Sequence, residues 1–467
     1  MFGLEIGFTI LLILCLVAAC SFEFVNGFHD TANAVATVIY TNSLKPVVAV
    51  VWSGIFNFAG VFFGGIAVAM GIVNLLPVES LIDQNISHSI AMVLALLLSA
   101  IAWNLLTWYF GIPCSSSHTL IAAILGVGIT FSLLPESGGN VAVNWKKAQE
   151  IGASLLLSPL FGFSTVILLM TIMKAMIKDS SIFKEPAKDA PPPTWIRAIL
   201  ILTCTAVSFF HGSNDGQKGV GLVMLILIGI VPAYFALDNQ QNPADTSRAL
   251  SQIEYIISSA DSATMSPEMR AGFVALQPDL DDLASRLPAS GTMNEIPEAD
   301  RFKVRSDILK ITRKLEKMEQ EGQLVLPYET LTQLKAEIKN LRKTTDYAPS
   351  WVILIISLSL GIGTMVGWKR IVVTIGEKIG KQHLTYAQGA SAEIVAASTI
   401  ALSTYMGLPV STTHVLSSGI AGSMVASQGI KNLQMDTIRN ILMAWLLTFP
   451  VVLVLSGSLF LLFRLIL

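Results

Sequence analysis

Long apolar segments constrain this chain more than any other feature. The hydrocarbon core of a bilayer is about 30 Å thick and needs roughly 20 apolar residues in a helix to cross it. About 10–12 segments qualify or come close, at 3–22, 33–41, 46–74, 86–111, 113–134, 150–177, 195–210, 219–237, 350–368, 384–406, 409–428 and 437–463. Several break at glycine, proline or polar residues. Only 13% of the residues are charged, about half the share in soluble proteins. The sequence therefore predicts an all-α polytopic membrane protein with broken helices.

The charged residues are concentrated in one stretch. Residues 238–348 hold 14 of the 30 basic and 18 of the 32 acidic residues. Apolar residues there recur three or four apart, as at Ile308, Ile311 and Leu315, which is typical of amphipathic helices. We predict a soluble helical insert, which is either a regulatory or interaction domain or a tolerated expansion of a loop. The net charge of the chain, −2, argues against a nucleic-acid partner.

Two motifs occur twice. The sequence NGFHDTANA at 26–34 matches HGSNDGQKG at 211–219, with a spacing of 185 residues. The sequence GIPCSSSH at 111–118 matches GLPVSTTH at 407–414, with a spacing of 296 residues, and the two spacings differ by the 111 residues of the insert. A duplicated unit whose second copy is interrupted explains both spacings. We predict a first membrane repeat at 1–177 and a cytoplasmic loop at 178–193. The second repeat is predicted in two parts, at 194–237 and 349–467, with the insert at 238–348 between them.

Few charged residues lie within or beside the apolar segments. A charge at the bilayer centre costs at least about 2.5–3.5 kcal/mol, so such groups face a cavity, a partner or a transported ion. They are Glu23, Asp30, Asp215, Lys218 and Glu393. The spacing of Asp215 and Lys218 also suits an ion pair that only locks the helix. Asp30 has no lysine or arginine within ten positions, so we expect it to bind a cation or the coupling proton.

Polar neighbours of the two aspartates are further candidates. Amide and carboxylate oxygens suit hard cations such as Na⁺, Mg²⁺ or Ca²⁺. Histidines titrate near neutral pH and could relay protons, although a structural role for them is an equally good interpretation. We predict cation or proton coupling for Asp30, Asp215, Asn33, Asn214, His29, His211, Lys218 and Glu393. Asp30 and Asp215 are also predicted to contact a metal ion.

Hydroxyl clusters precede an apolar helix in both repeats. They consist of Ser115, Ser116 and Ser117 in the first and Ser411, Thr412 and Thr413 in the second. Hydroxyls and free backbone N–H groups at a helix start bind anions. Ordinary helix capping would explain one such cluster. Two clusters at matching positions of two repeats are typical of a central site in a secondary transporter, so we predict that these six residues bind an oxyanion.

The motifs at 26–34, 111–118, 211–219 and 407–414 resemble those of the inorganic phosphate transporter family, most closely its bacterial low-affinity members. The resemblance covers nearly all of the membrane part but not the insert. It implies inverted repeats, two re-entrant hairpins with phosphate bound between their tips, and alternating access rather than enzymatic activity. For the bacterial members it implies import through the inner membrane of a neutral complex of phosphate with a divalent cation such as Mg²⁺ or Ca²⁺, in symport with protons. It also implies a homodimer.

Three positions depart from the family pattern. In the first copy of the usual Gly-Ala-Asn-Asp motif, His29 replaces the asparagine. In the second repeat, Lys218 stands at the position that Asn33 occupies in the first. Glu393 aligns with the apolar residue Leu97 of the first repeat. Each change removes a neutral oxygen ligand or adds a titratable group, which favours protons over sodium. The alternatives are a sodium-coupled phosphate symporter, a sulfate symporter of the same fold, and an intramembrane enzyme or receptor. HPO₄²⁻ donates a hydrogen bond to a carboxylate and SO₄²⁻ cannot, so the aspartates favour phosphate.

Overall fold

The chain is helical almost throughout. The computed structural model describes residues 2–75, 86–137, 143–187, 190–259, 266–288 and 291–467. Within these ranges no strand forms, and one isolated β-bridge joins Gly380 to Leu433. Parts of the predicted loop and of the predicted insert, at 188–189, 260–265 and 289–290, lie outside the described residues. One compact unit consists of 3–226 with 348–467, and a second consists of 227–347.

The first acidic motif lies inside a helix. The elements before it and after it are α1 (Ile6–Asp30), α2 (Ala32–Tyr40), α3 (Pro46–Phe63), α4 (Ala67–Val73), α5 (Ile86–Tyr109), α6 (Ser116–Ser132) and α7 (Trp145–Met176). Only Thr31 separates α1 from α2, and its hydroxyl donates to a carbonyl oxygen one turn earlier at 2.6 Å. The segments predicted at 3–22 and 33–41 therefore form one span of 35 residues, Ile6–Tyr40.

The second acidic motif lies in a similarly continuous span, Thr194–Ile230. It consists of α8 (Thr194–His211), one π-helical turn at Gly212–Gly216 and α9 (Gln217–Ile230). A π turn inserts an extra residue into a helix and is frequent at functional sites. Asp215 lies in this turn. Both acidic motifs are thus helical, and neither forms a loop between two separate helices.

Residues 227–347 form a small helical unit. Its helices are α10 (Pro232–Phe235), α11 (Pro243–Ser259), α12 (Pro267–Val274), α13 (Gln277–Arg286), α14 (Glu298–Gln320) and α15 (Tyr328–Arg342). Ile308, Ile311 and Leu315 of α14 are fully buried in an apolar core shared with α11, α12 and α13. Exposed ion pairs such as Arg248 with Asp245 lie on its surface.

Arg305 joins the start of this unit to its end. The side chain is buried, and its Nη1 donates to the carbonyl oxygens of Ala236 (3.1 Å) and Thr345 (2.6 Å). Ala236 directly follows α10 and Thr345 follows α15. A hydrogen bond from a charged donor contributes about 1.5–3 kcal/mol to stability. The Arg305 side chain therefore holds together the segments at which the chain enters and leaves this unit.

The helices after residue 347 correspond to helices near the start. They are α16 (Ser350–Thr364), α17 (Lys369–Val373), α18 (Tyr386–Tyr405), α19 (Thr412–Gln428) and α20 (Met435–Ile466). Both α6 and α19 have 17 residues, and both α7 and α20 have 32 with an internal proline. Gly111 and Gly407, ahead of α6 and α19, share a φ of +67°, a left-handed conformation that favours glycine. Helix α6 packs against α20, and α19 packs against α7.

Fewer helices satisfy the criteria for a membrane span than the 10–12 segments predicted. Among the described residues six helices are long and apolar enough, and the bent pair Ser350–Thr364 and Lys369–Lys378, with axes 55° apart, would be a seventh. Merging of neighbouring segments accounts for part of the difference. The rest arises because α6 and α19 are too short and α18 carries more polar residues. The chain is a polytopic helical membrane protein.

Replacing Arg305 should destabilise the unit 227–347. Arg305→Ala removes both carbonyl contacts, and we expect the free energy of unfolding of this unit to fall by about 3 kcal/mol. Cleavage by a protease within 227–347 of the full-length protein should then be at least about tenfold faster. Arg248→Ala is the control, because an exposed ion pair contributes less than about 1 kcal/mol. Similar cleavage rates for the two variants would contradict this role of Arg305.

Candidate functional site

The carboxylate of Asp30 binds hydroxyls from both duplicated helix starts. Ser116 Oγ at the start of α6 donates to Oδ2 at 3.1 Å, and Thr413 Oγ1 at the start of α19 donates to Oδ1 at 2.6 Å. Asn33 Nδ2, one turn beyond Asp30, donates to Thr413 Oγ1 at 3.0 Å and lies 3.5 Å from Thr412 Oγ1. All of these side chains are buried. The acidic motif of the first half therefore contacts the hydroxyl clusters of both halves.

Lys218 makes the corresponding contacts from the second acidic motif. Its ammonium donates to Asp215 Oδ1 at 2.6 Å, to the carbonyl oxygen of Val410 at 3.2 Å and to Ser117 Oγ. Ser117 in turn donates to the same Val410 oxygen at 2.7 Å. All three ammonium protons are used. The pair formed with Asp215 agrees with the helix-locking interpretation, but the ammonium also binds both helix starts.

These contacts are equivalent when the two halves are exchanged. Asn33 of the first half donates to Thr413 of the second, and Lys218 of the second donates to Ser117 of the first. By the motif spacings, Asn33 matches Lys218 and Ser117 matches Thr413. One local arrangement is therefore built twice, with an amide in one copy and an ammonium in the other.

Ser115 and Ser411 cap their helices. Ser115 Oγ accepts from the backbone N–H of His118 at 3.2 Å, and Ser411 Oγ accepts from that of His414 at 3.1 Å. These two hydroxyls thus perform the ordinary capping role. The remaining hydroxyls, on Ser116, Ser117, Thr412 and Thr413, are those in contact with the acidic motifs.

His211 lies between the two aspartates. Its Nε2 is 3.7 Å from Asp30 Oδ2 and 3.5 Å from Asp215 Oδ2. Ligand atoms of the three residues lie within 4.8 Å of one another, and all three residues are buried. Two carboxylates and an imidazole nitrogen are donors that divalent cations accept. This cluster therefore has the chemistry of a cation site, with His211 added to the predicted pair of metal contacts.

Asn57 determines which ring nitrogen of His211 faces the carboxylates. The Thr364 hydroxyl donates to the Leu360 carbonyl oxygen (2.8 Å) and therefore accepts from Asn57 Nδ2 (3.0 Å). This orients Asn57 Oδ1 toward His211 Nδ1, 2.8 Å away, which must donate. Nε2 then offers either a lone pair to a cation or a proton to a carboxylate. Asn57 was not predicted, and its only sequence signal is an amide within an apolar segment.

The other predicted coupling residues lie at different distances from this cluster. His29 Nδ1 is 3.3 Å from Asp30 Oδ1, and its Nε2 is 3.2 Å from Thr107 Oγ1. Asn214 holds the chain before α19, because its amide donates to the Leu408 carbonyl and accepts from Val410 N–H. Glu393 accepts from Thr203. Among the described residues no hydrogen bond joins Glu393 to either aspartate.

Comparisons with known proteins agree on one family. Residues 26–456 match the profile of the phosphate transporter family. The low-affinity inorganic phosphate transporters PitA and PitB of Escherichia coli K12 are 41% and 40% identical, with 98% of this chain and 97% of each relative covered. A probable low-affinity inorganic phosphate transporter of Bacillus subtilis is 28% identical over 95% of this chain and 94% of its own. A solved structure of a sodium-dependent phosphate transporter matches 98% of this chain and 100% of its own with a TM-score of 0.56 and 19% identity, which is a likeness of fold.

Removing the Thr413 hydroxyl should destabilise the protein. In Thr413→Val the Asp30 carboxylate loses its shortest hydrogen bond, and we expect the free energy of unfolding to fall by about 2 kcal/mol. Thr413→Ser keeps the hydroxyl and should lose only about 0.8 kcal/mol for the missing methyl group. Equilibrium unfolding of the purified protein in mixed detergent micelles measures both. A Thr413→Val variant as stable as the wild type would contradict this role of the hydrogen bond, because valine keeps the methyl group and lacks only the hydroxyl.

Proposed function

Since the chain belongs to the phosphate transporter family, whose members are transporters and not enzymes, we propose that it imports inorganic phosphate across the bacterial inner membrane. The substrate is a neutral complex of phosphate with a divalent cation, carried in symport with protons by alternating access. The main support is that Asp30 binds hydroxyls at both duplicated helix starts, and that Lys218 binds the Ser117 hydroxyl at the first of them. Anion-binding and cation-binding groups thereby meet in one buried cluster.

Phosphate binds the hydroxyls and backbone N–H groups at the starts of α6 and α19. Ser116, Ser117, Thr412 and Thr413 supply the hydroxyls, and the dipoles of both helices favour an anion at this end. Ser115 and Ser411 fix the helix starts through their caps. HPO₄²⁻ has a proton to donate to a carboxylate, whereas sulfate has none, and this difference favours phosphate over the sulfate alternative.

The divalent cation binds Asp30, His211 and Asp215. Their carboxylates supply the negative charge that a hard cation such as Mg²⁺ or Ca²⁺ prefers, and the imidazole nitrogen also suits Mn²⁺ or Zn²⁺. Because the cation is part of the cargo, it neutralises the phosphate charge and reduces the cost of moving it through the membrane. Asn57 acts through His211, whose Nε2 it directs toward the site.

Protons, and not sodium ions, drive the transport. The Lys218 ammonium contacts a carboxylate, a carbonyl and a hydroxyl, which are the ligand types that a sodium ion would take. A fixed ammonium thus fills the place of a second cation. The alternative, a sodium-coupled symporter, is supported by the structural neighbour, which is itself a sodium-dependent phosphate transporter. His29, Asn214 and Glu393 are assigned to the coupling machinery because imidazole and carboxyl groups titrate and amide oxygens bind cations.

The transporter is built from inverted repeats with two re-entrant hairpins. The equal lengths of α6 and α19 and of α7 and α20, and the shared φ of Gly111 and Gly407, support a duplicated unit. Repeats at 1–177 and at 194–237 with 349–467 would rock about the shared site. The insert at 238–348 is either a regulatory or interaction domain or a tolerated expansion of a loop, and two chains form a homodimer.

Uptake of labelled phosphate into proteoliposomes tests the substrate and the coupling ion. An inward pH gradient should drive uptake, and a chelator of divalent cations should abolish it, because the cation belongs to the substrate. A sodium gradient alone should not drive uptake. Uptake that persists with the chelator would contradict the metal complex, and uptake that requires sodium would favour the alternative.

Lys218→Asn should create a dependence on sodium. The substitution restores the amide found at Asn33 and leaves Asp215 Oδ1, Ser117 Oγ and the Val410 oxygen free to bind Na⁺. Initial uptake rates with and without sodium measure the effect, and we expect sodium to raise the rate of the variant at least about tenfold. Lys317→Asn, an exposed lysine of α14, is the control. Sodium-independent uptake with wild-type kinetics in Lys218→Asn would overturn this role of the ammonium.

A further inference from the structure

Glu23 is a buried carboxyl group that the proposed mechanism has not used. It lies on α1, about two turns before Asp30, and is 0% exposed. Asn26 Nδ2 donates to its Oε2 at 3.2 Å. Its Oε1 has no hydrogen-bond partner among the described residues, and neither has Asn26 Oδ1. Two acceptor oxygens are thus buried without a donor, a state that polar groups rarely adopt.

The free oxygen of Glu23 faces the start of α9. A Cβ atom added to Gly219 would lie 2.7 Å from Oε1 and 2.3 Å from Cγ of Glu23. The absence of a side chain at Gly219 therefore lets the carboxyl group approach the backbone directly after Lys218. A movement of this part of α9 would therefore change the surroundings of the Glu23 carboxyl group.

The charged groups around Glu23 do not provide a free counter-ion. The nearest are Lys218, Asp215 and His211. Lys218 already uses its three protons, and His211 faces the two aspartates. Of the helices packed against α1, α2 and α16 carry no charged residue, and α5 carries only His88 near its start. Among the residues that the structure describes, a carboxylate at this position would have one neutral amide as its only donor.

The other carboxylates of the site have more hydrogen-bond donors or a charged donor. Asp30 accepts hydrogen bonds from Ser116 and Thr413 and lies beside His29, and Asp215 has the ammonium of Lys218. An ionised group needs such donors when it is taken out of water. Within the described part of the chain, Glu23 has fewer donors than Asp30 and, unlike Asp215, has no charged donor, so it suits a proton better than a charge.

From this geometry we infer that Glu23 binds the coupling proton. The inference rests on the proposed proton symport and adds the residue that carries the proton. The carboxyl group of Glu23 takes the proton from water on the outer side and releases it to water on the inner side, so no other atom is exchanged. Asn26 serves both states, because its Nδ2 donates to the carboxylate and, after a half-turn of the amide, its Oδ1 accepts from the protonated acid.

Net transport and exchange separate this role from substrate binding. Glu23→Gln mimics the permanently protonated acid. At zero membrane potential one unit of pH gradient supports about tenfold accumulation for each proton carried, and the variant should lose this accumulation. Exchange of labelled for unlabelled phosphate needs no deprotonation and should stay within about threefold of the wild-type rate. Glu23→Asp keeps an acid and should retain accumulation driven by pH. Glu5→Gln, an exposed glutamate ahead of the same helix, is the matched control.

The outcomes are distinct. Accumulation by Glu23→Gln in response to a pH gradient would overturn the inference. So would loss of both accumulation and exchange in Glu23→Gln purified as a monodisperse protein, because this would place Glu23 in the substrate site. Loss of accumulation in Glu23→Asp as well would show that the acid group itself is not what matters. Wild-type protein that fails to respond to pH would refute the proposed proton symport instead, independently of Glu23.

Discussion

The hydrogen bonds of Asp30 are the interaction on which the rest of the membrane unit depends. A buried carboxylate must have donors, and Asp30 obtains them from the starts of both α6 and α19. These helices belong to different halves of the sequence, so the requirement of one side chain brings the two halves together. The same contacts satisfy both oxygens of the Asp30 carboxylate inside the membrane unit. The polar cluster therefore orders the apolar helices around it.

Lys218 gives this nearly two-fold arrangement its asymmetry. Asn33 and Lys218 make equivalent contacts with the opposite hydroxyl cluster, but only Lys218 brings a positive charge. The ammonium neutralises the charge of Asp215, whereas Asp30 has no lysine partner among the described residues. His211 lies near both aspartates. A metal–phosphate complex has a positive end and a negative end. A site with identical halves would offer the same environment to both ends, and the exchange of one amide for an ammonium removes that equivalence.

The repeated motifs contain Asp30, Lys218 and the hydroxyls that bind them. The family and a transporter without enzymatic activity were predicted from the motifs, and the helical membrane class from the apolar segments. These predictions and the membrane location are confirmed. The continuity of α1 with α2 was not predicted, because a polar motif reads as a break when its hydrogen bonds to another half of the chain are unknown. The orientation of His211 was not predictable either. It depends on Asn57 and Thr364, which are distant in sequence and belong to no repeated motif.

Some buried charged residues occur in only one half of the membrane unit, and their role differs from that of the residues found in both halves. By the motif spacings, Glu23 aligns with Ser208, Lys218 with Asn33 and Glu393 with Leu97. The groups that occur in both halves, namely the aspartates and the hydroxyl clusters, form the frame proposed to bind the complex. Among the unmatched acids, Glu23 is the group inferred above to take up the coupling proton, and its protonation would change the first half and leave the second unchanged.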